Sequence, residues 1–242
     1  MKTIFVIKRA ILAIFTVAFI FDLPLEVLAG QGEKHVDKGK KLYLTYCVVC
    51  HGEMGKGDGI NSVEMDPAPR DFTDSGKEKY MAKRTEQEIF DAISGGGSSI
   101  EKSSLMPAFN KTISEYEIWA IVAYISKLCK TKSWNIDFSK KMNKERPKIE
   151  VKPVEIPDPS RRDKMMGKRA YGKYGCSGCH EIRERGGESG PHLDGVASKL
   201  KPQQLYTIVQ NARSVKKDSA MPIYGLNKDT AVSITKFLML LE

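Results

Sequence analysis

YCVVCHG, Tyr46 to Gly52, places two thiols and an imidazole within five consecutive residues, and YGCSGCHE, Tyr174 to Glu181, does so again. Four of the five cysteines fall in these two groups, Cys47 with Cys50 and Cys176 with Cys179, which leaves Cys129 outside them. Aligned on CxxCH, the chain is an internal repeat. Upstream, Gly39 and Tyr43 lie four apart, as do Gly167 and Tyr171, and one residue is inserted before the second cysteine pair. Downstream, each copy runs through a Gly- and Pro-containing loop to a helix-like stretch. A Met-Pro pair follows, LMPAF at Met106 and AMPIY at Met221, and each copy ends in an amphipathic segment.

The segments read as helices on capping and periodicity. Thr85 with Glu88 makes a capping box that opens TEQEIFDAI, and Gly95 to Gly97 stop it. Ser114 with Glu117 opens a second helix whose Ile118, Ile121, Val122, Ile125 and Leu128 share one face. In the second copy, Pro202 to Ala212 and Asp229 to Leu241 occupy the corresponding places. No alternating strand pattern competes, so the expected class is all-α. Between the copies, a stretch rich in Lys, Glu and Pro reads as a linker. As a free coil its 31 residues from Thr131 to Arg161 would span roughly 30 Å, which alone leaves the facing of the domains open. Trp134, Ile136, Phe138 and Val151 are the residues able to pin it. The expected organisation is a leader over 1–29, domains over 33–131 and 162–242, and a linker over 132–161.

The leader rests on a positive start at Lys2, Lys8 and Arg9, an apolar run from Ala10 to Phe21, and small residues at Val27-Leu28-Ala29. This is the pattern of a cleaved secretory signal, whereas a membrane span needs about 20 apolar residues and Asp22 interrupts the run. With 41% hydrophobic and 29% charged residues, the remainder has a soluble globular profile. Loss of residues 1–29 removes three positive and two negative charges, so the net charge falls from +9 to +8. Such a surface can steer toward acidic redox partners. The lysines are interleaved with acids, which argues against nucleic-acid binding.

Three chemistries compete for a CxxC pair. A thioredoxin-like pair wants alternating strands and helices, which are missing. A structural zinc site wants two more Cys or His ligands in each domain, and neither domain supplies them at suitable spacing. Covalent haem attachment also accounts for the histidine. The two thiols add to the two vinyl groups as thioethers, and the next residue, His51 or His180, is aimed at the iron.

The pattern resembles class I cytochromes c, and the whole mature chain resembles a tandem dihaem cytochrome c with one haem c in each half. CHGEMGKGDG and DPAPRDFTD look like that family's haem-side loops, and SGPHLDGVASK resembles its GPxLxG loop. The resemblance implies that Met106 and Met221 are distal iron ligands, opposite His51 and His180. It also implies that Pro191 offers the carbonyl that receives the hydrogen bond of His180. The first copy lacks GPxLxG, and Pro67 or Pro69 is the expected counterpart. Imidazole and thioether together favour reduced iron and fill both axial positions.

Met54, Met65 and Met81 compete with Met106, and Met165, Met166 and Met239 with Met221; their places suit loop or core filling. His35 and His192 are read as non-ligands, and Cys129 as a buried thiol that continues its helix's apolar face. Trp119 and Tyr124 read as packing residues. The resulting expectation is a periplasmic carrier of single electrons. Its rivals are a dihaem peroxidase or sulfur-compound oxidising enzyme, which needs an open or thiolate-held iron, and an electron-transfer subunit of a larger complex.

Overall fold

A glycine one helical turn ahead of a tyrosine sets the same crossing in both repeats. The computed structural model describes residues 26–73, 80–129, 132–140 and 142–241. Residues 1–25 of the expected leader therefore lie outside the described residues. The first repeat contains helices α1 (Glu26–Tyr46), α2 (Val48–His51), α3 (Glu86–Gly95) and α4 (Glu115–Leu128). The second contains α5 (Arg161–Lys173), α6 (Val196–Lys199), α7 (Pro202–Asn211) and α8 (Lys228–Leu238). There is no β-strand among the described residues; one isolated bridge pairs Ile182 with Arg185.

In α1, a Cβ on Gly39 would stand 1.9 Å from the Ala120 carbonyl oxygen of α4. In α5, a Cβ on Gly167 would stand 2.2 Å from the Ser233 oxygen of α8. The helix backbones are thus in direct contact, at a separation only glycine permits. One turn on, the Tyr43 hydroxyl donates to the Gly52 carbonyl at 2.7 Å, and the Tyr171 hydroxyl to the His180 carbonyl at 3.1 Å. The N-terminal helix of each repeat is so fastened both to the C-terminal helix and to the CxxCH segment.

Capping boxes fix where α3, α4 and α5 begin, at Thr85 with Glu88, Ser114 with Glu117, and Ser160 with Asp163. Each repeat has its own core. Tyr43, Ile89, Ile118, Ile121 and Ile125 lie in the first; Tyr171, Leu205, Tyr206, Ile234 and Phe237 lie in the second.

The stretch between the repeats adheres to both. Trp134 and Ile136 pack on the first core, and Val151, Val154 and Ile156 on the second. The Arg146 guanidinium forks onto the buried Glu117 carboxylate through two 2.7 Å hydrogen bonds. Backbone groups are taken up as well: Tyr116 N–H donates to the Asn143 carbonyl at 3.0 Å, and the Asn211 side-chain amide to the Ile149 carbonyl at 2.9 Å. Chain contacts divide the molecule into Met1–His35 and Val36–Glu242, and both CxxCH segments, both Met-Pro loops and both cores belong to the second unit.

Candidate functional site

In the first repeat α1 runs to Tyr46, and the chain then coils directly into α2, which carries Cys50 and His51. Cys47, Cys50, His51 and Met106 line one cavity of about 390 Å³, walled by Phe72, Ile89, Ile93 and Phe109. Burial pushes the Cys47 and Cys50 thiols up to about 12, so both are neutral at physiological pH. Burial also holds the His51 pKa below its ordinary value, with the hydrogen bond to Arg70 opposing it. The Nδ1 of His51 lies 3.1 Å from the Arg70 carbonyl oxygen, and the ring stacks on Phe72 at 4.5 Å between centroids. A carbonyl only accepts, so Nδ1 carries the proton and Nε2 presents a lone pair. The residue facing His51 is thus Arg70, one past Pro69, and not Pro67 or Pro69: the chain turns so that the carbonyl after the prolines points inward.

The second repeat builds the same relation differently. Here α5 stops at Lys173, and Gly175, with φ of +68°, turns the chain into Cys176. Cys176 is raised by burial to about 12, Cys179 is raised by burial, and His180 is lowered by burial against an opposing bond to Pro191. The Nδ1 of His180 lies 2.9 Å from the Pro191 carbonyl oxygen. A Cβ on Gly190 would stand 2.7 Å from the His180 ring, so the loop lies directly on the imidazole.

The Met106 loop owes its place to the glycine triplet. Gly96 has φ of +74°, and a Cβ there would stand within 2.9 Å of Met106 O, Pro107 C and Ala108 N. The next N–H, that of Gly97, donates to the Met106 carbonyl at 3.0 Å. The triplet that ends α3 thereby also docks the Met-Pro loop. Of the other methionines in this half, Met54 is exposed and Met81 wholly buried in the core, whereas Met65 shares the cavity wall with Met106. In the second half Met221 is partly buried, Met165 and Met166 are exposed, and Met239 packs on the core.

Cys129 is 2% exposed and part of the first core. His192 is exposed, its Nδ1 2.9 Å from the Glu181 carboxylate. Trp119 stacks on Phe90 at 4.5 Å, and Tyr124 packs against Tyr43 at 5.2 Å. Sequence reasoning missed Arg70 and also Asn61, which contacts the second attachment segment; a backbone acceptor and a contact spanning more than a hundred residues leave no local pattern.

A largely apolar cleft with two neutral thiols and one oriented imidazole fits a covalently held porphyrin. Among the described residues no group of three or more His, Cys, Asp or Glu side chains could hold a bare metal ion. The family comparisons agree with the haem chemistry. The model of cytochrome c matches residues 36–128, and that of cytochrome c oxidase, cbb3-type, subunit III matches residues 162–238. The chain belongs to the c-type cytochromes: it is a tandem dihaem protein of two all-α, class I cytochrome c-like domains, each with a covalently bound haem c, and it transfers electrons. No curated protein matches it. Among solved structures, a chain of the reducing HAO-like protein complex of Kuenenia stuttgartiensis aligns over 85% of this chain and 96% of its own, at 19% identity and a TM-score of 0.31. No helix among the described residues is long and apolar enough to cross a membrane.

Proposed function

We propose that this chain is an exported carrier of single electrons that passes them between redox proteins without a catalytic site of its own. The observation that carries the reading is the first cavity, where an oriented, neutral His51 and the docked Met106 line the same apolar space. Bound there through Cys47 and Cys50, the haem supplies a one-electron iron couple. His51 would hold the iron through Nε2, with Arg70 fixing its ring, and Met106 would offer the second axial bond. His180, oriented by Pro191, and Met221 would do the same in the second domain, with Cys176 and Cys179 as thioether donors. With His51 and Met106, and His180 and Met221, holding the two irons, substrates would be kept off the metal, which would distinguish a carrier from a peroxidase or a sulfur-oxidising enzyme.

The domains proposed for this work are 33–131 and 162–242, after removal of a signal over 1–29 that directs the chain to the periplasm. The basic charge left behind suits partners with acidic surfaces. The test is spectroscopic. The purified protein should bind two haems and show a far-red methionine-to-ferric-iron band accounting for both, and Met106→Ala should remove the share of one. A high-spin or thiolate signal in the unaltered protein would overturn the reading in favour of an enzyme.

A further inference from the structure

The two attachment segments meet. Asn61, in the 3-10 turn Ile60–Glu64 that follows the first CxxCH, is 1% exposed, yet its side-chain partners all belong to the other repeat. Its Nδ2 donates to the Gly178 carbonyl at 2.6 Å and to the Ser189 hydroxyl at 2.8 Å, and its Oδ1 accepts from the Glu188 N–H at 3.2 Å. Gly178 immediately precedes Cys179, and the Ser189 hydroxyl also bonds the Cys179 sulfur. The amide is tightly enclosed: a Cβ on Gly187 would stand 2.7 Å from Asn61 Cγ.

Two further contacts lie at the same junction. Met65 lines the first haem cavity, and its methyl group would be 3.2 Å from a Cβ on Gly178. Gly175, the residue inserted ahead of the second cysteine pair, lies against Ser104 and Leu105, just before Met106; a Cβ there would be 2.9 Å from the Ser104 oxygen. Cysteine sulfurs mark the thioether edge of a c-type haem, so bringing these segments together brings the two edges together.

We infer that Asn61, with Met65 beside it, holds the two CxxCH segments against each other and so opens a direct path for an electron between the two haems of one molecule. The inference rests on the carrier reading above. The step moves one electron from the ferrous centre of one domain to the ferric centre of the other, oxidising the first and reducing the second; no bond, proton or co-reactant is involved. Asn61 is a positioning residue. Electron tunnelling falls off steeply with separation, so a small loosening here is felt in rate before it is felt in fold. A buried amide serving only as domain adhesive would affect stability alone.

The test uses the full chain with both haems bound. After a flash that delivers less than one electron per molecule, redistribution between the haems should follow a first-order phase whose rate is unchanged by dilution. Asn61→Ala should slow it roughly tenfold or more while both His/Met spectra persist, because positioning tolerances at such sites are well under an ångström. Magnetic interaction between the two ferric irons in EPR should weaken in the same variant. Should Asn61→Ala fail to load both haems, Ser189→Ala removes one of its three partners and should give an intermediate slowing. A wild type without the dilution-independent phase, or a rate unchanged in these variants, overturns the inference. Two intact His/Met spectra in that outcome leave the carrier reading standing, whereas a missing haem or a thiolate signal defeats the reading itself.

Discussion

The Thr112 hydroxyl accepts a hydrogen bond from the Ile223 N–H at 2.8 Å, tying the end of one repeat's Met-Pro loop to the Met-Pro loop of the other. Ile223 stands two residues after Met221, and Thr112 six residues after Met106. Arg213 adds to the same seam, donating from the second repeat to the Thr112 carbonyl and the Tyr46 hydroxyl of the first. On the other side, Gly175 abuts Ser104 and Leu105 just ahead of Met106. Each domain therefore buttresses the Met-Pro loop of its neighbour.

Replacing Thr112 by Val keeps shape and removes the acceptor. The buried Ile223 N–H is then unpaired, at a cost of about 1–3 kcal/mol. The denaturation midpoint of Thr112→Val is expected to fall accordingly. In the ferric protein, the far-red methionine band should weaken for one haem, the one whose loop contains Ile223, and stay intact for the other. Equal weakening of both, or of neither, would contradict the buttress.

Glycines in α5 give a signed comparison within one helix. A Cβ on Gly167 would strike the Ser233 carbonyl and Phe237, whereas one on Gly172 would meet nothing within 4 Å. Gly167→Ala should therefore destabilise by about 1–3 kcal/mol, as overpacking does. Gly172→Ala should stabilise by about 0.5–1 kcal/mol, because alanine is the better helix former. Guanidinium titration of the two variants reads both signs at once.

Gly96 links the turn after α3 to the Met-Pro loop. With φ of +74° and the Met106–Ala108 backbone pressed against it, alanine there is strained and crowded. Gly96→Ala should cost about 1–3 kcal/mol and shift the Met-Pro loop, seen as loss of the far-red band of one haem with the haem count unchanged. Retention of the full band would mean that Met106 is placed by other contacts.

Much of this arrangement was legible in the chain because it is written in local spacing. The Thr85/Glu88 and Ser114/Glu117 pairs announce helix starts through bonds three residues apart, and the Gly39/Tyr43 spacing, repeated at Gly167/Tyr171, marks the two copies of the repeat. The inserted residue was visible as a count, but its role was not: Gly175 matters through Ser104 and Leu105, some seventy residues away. Arg70 was not legible because a main-chain carbonyl has no residue type, whereas the nearby prolines do. The linker's Lys, Glu and Pro lack periodicity, so its course stayed open in the sequence, although Trp134, Ile136, Phe138 and Val151 stood out as residues able to pin it. Beside the apolar contacts of Trp134, Ile136, Val151 and Val154, a buried acid holds it: Glu117, which the sequence offered only as a cap.

That acid predicts how the linker responds to pH. Burial alone would raise the Glu117 carboxyl, but the Arg146 fork, the Ser114 N–H and nearby Lys38 outweigh it and hold the pKa below the ordinary carboxylate value. A carboxylate whose folded pKa is depressed contributes stability in full above its unfolded value of about 4.3, and loses it as pH falls toward the folded value. Linker amides between Asn143 and Val154 should accordingly keep their hydrogen-exchange protection at pH 7 and lose it progressively below about pH 4.3, after correction for intrinsic rates. Arg146→Ala should lose that protection already at pH 7. The side chain of Arg146 is 40% exposed, so we expect an opening free energy lowered by about 1–2 kcal/mol, less than for a fully buried pair. Glu117→Gln should flatten the acid dependence, because the titrating group is gone. Protection that is identical in all three proteins from pH 7 to pH 4 would mean that the apolar contacts of Trp134, Ile136, Val151 and Val154 hold the linker without the ion pair.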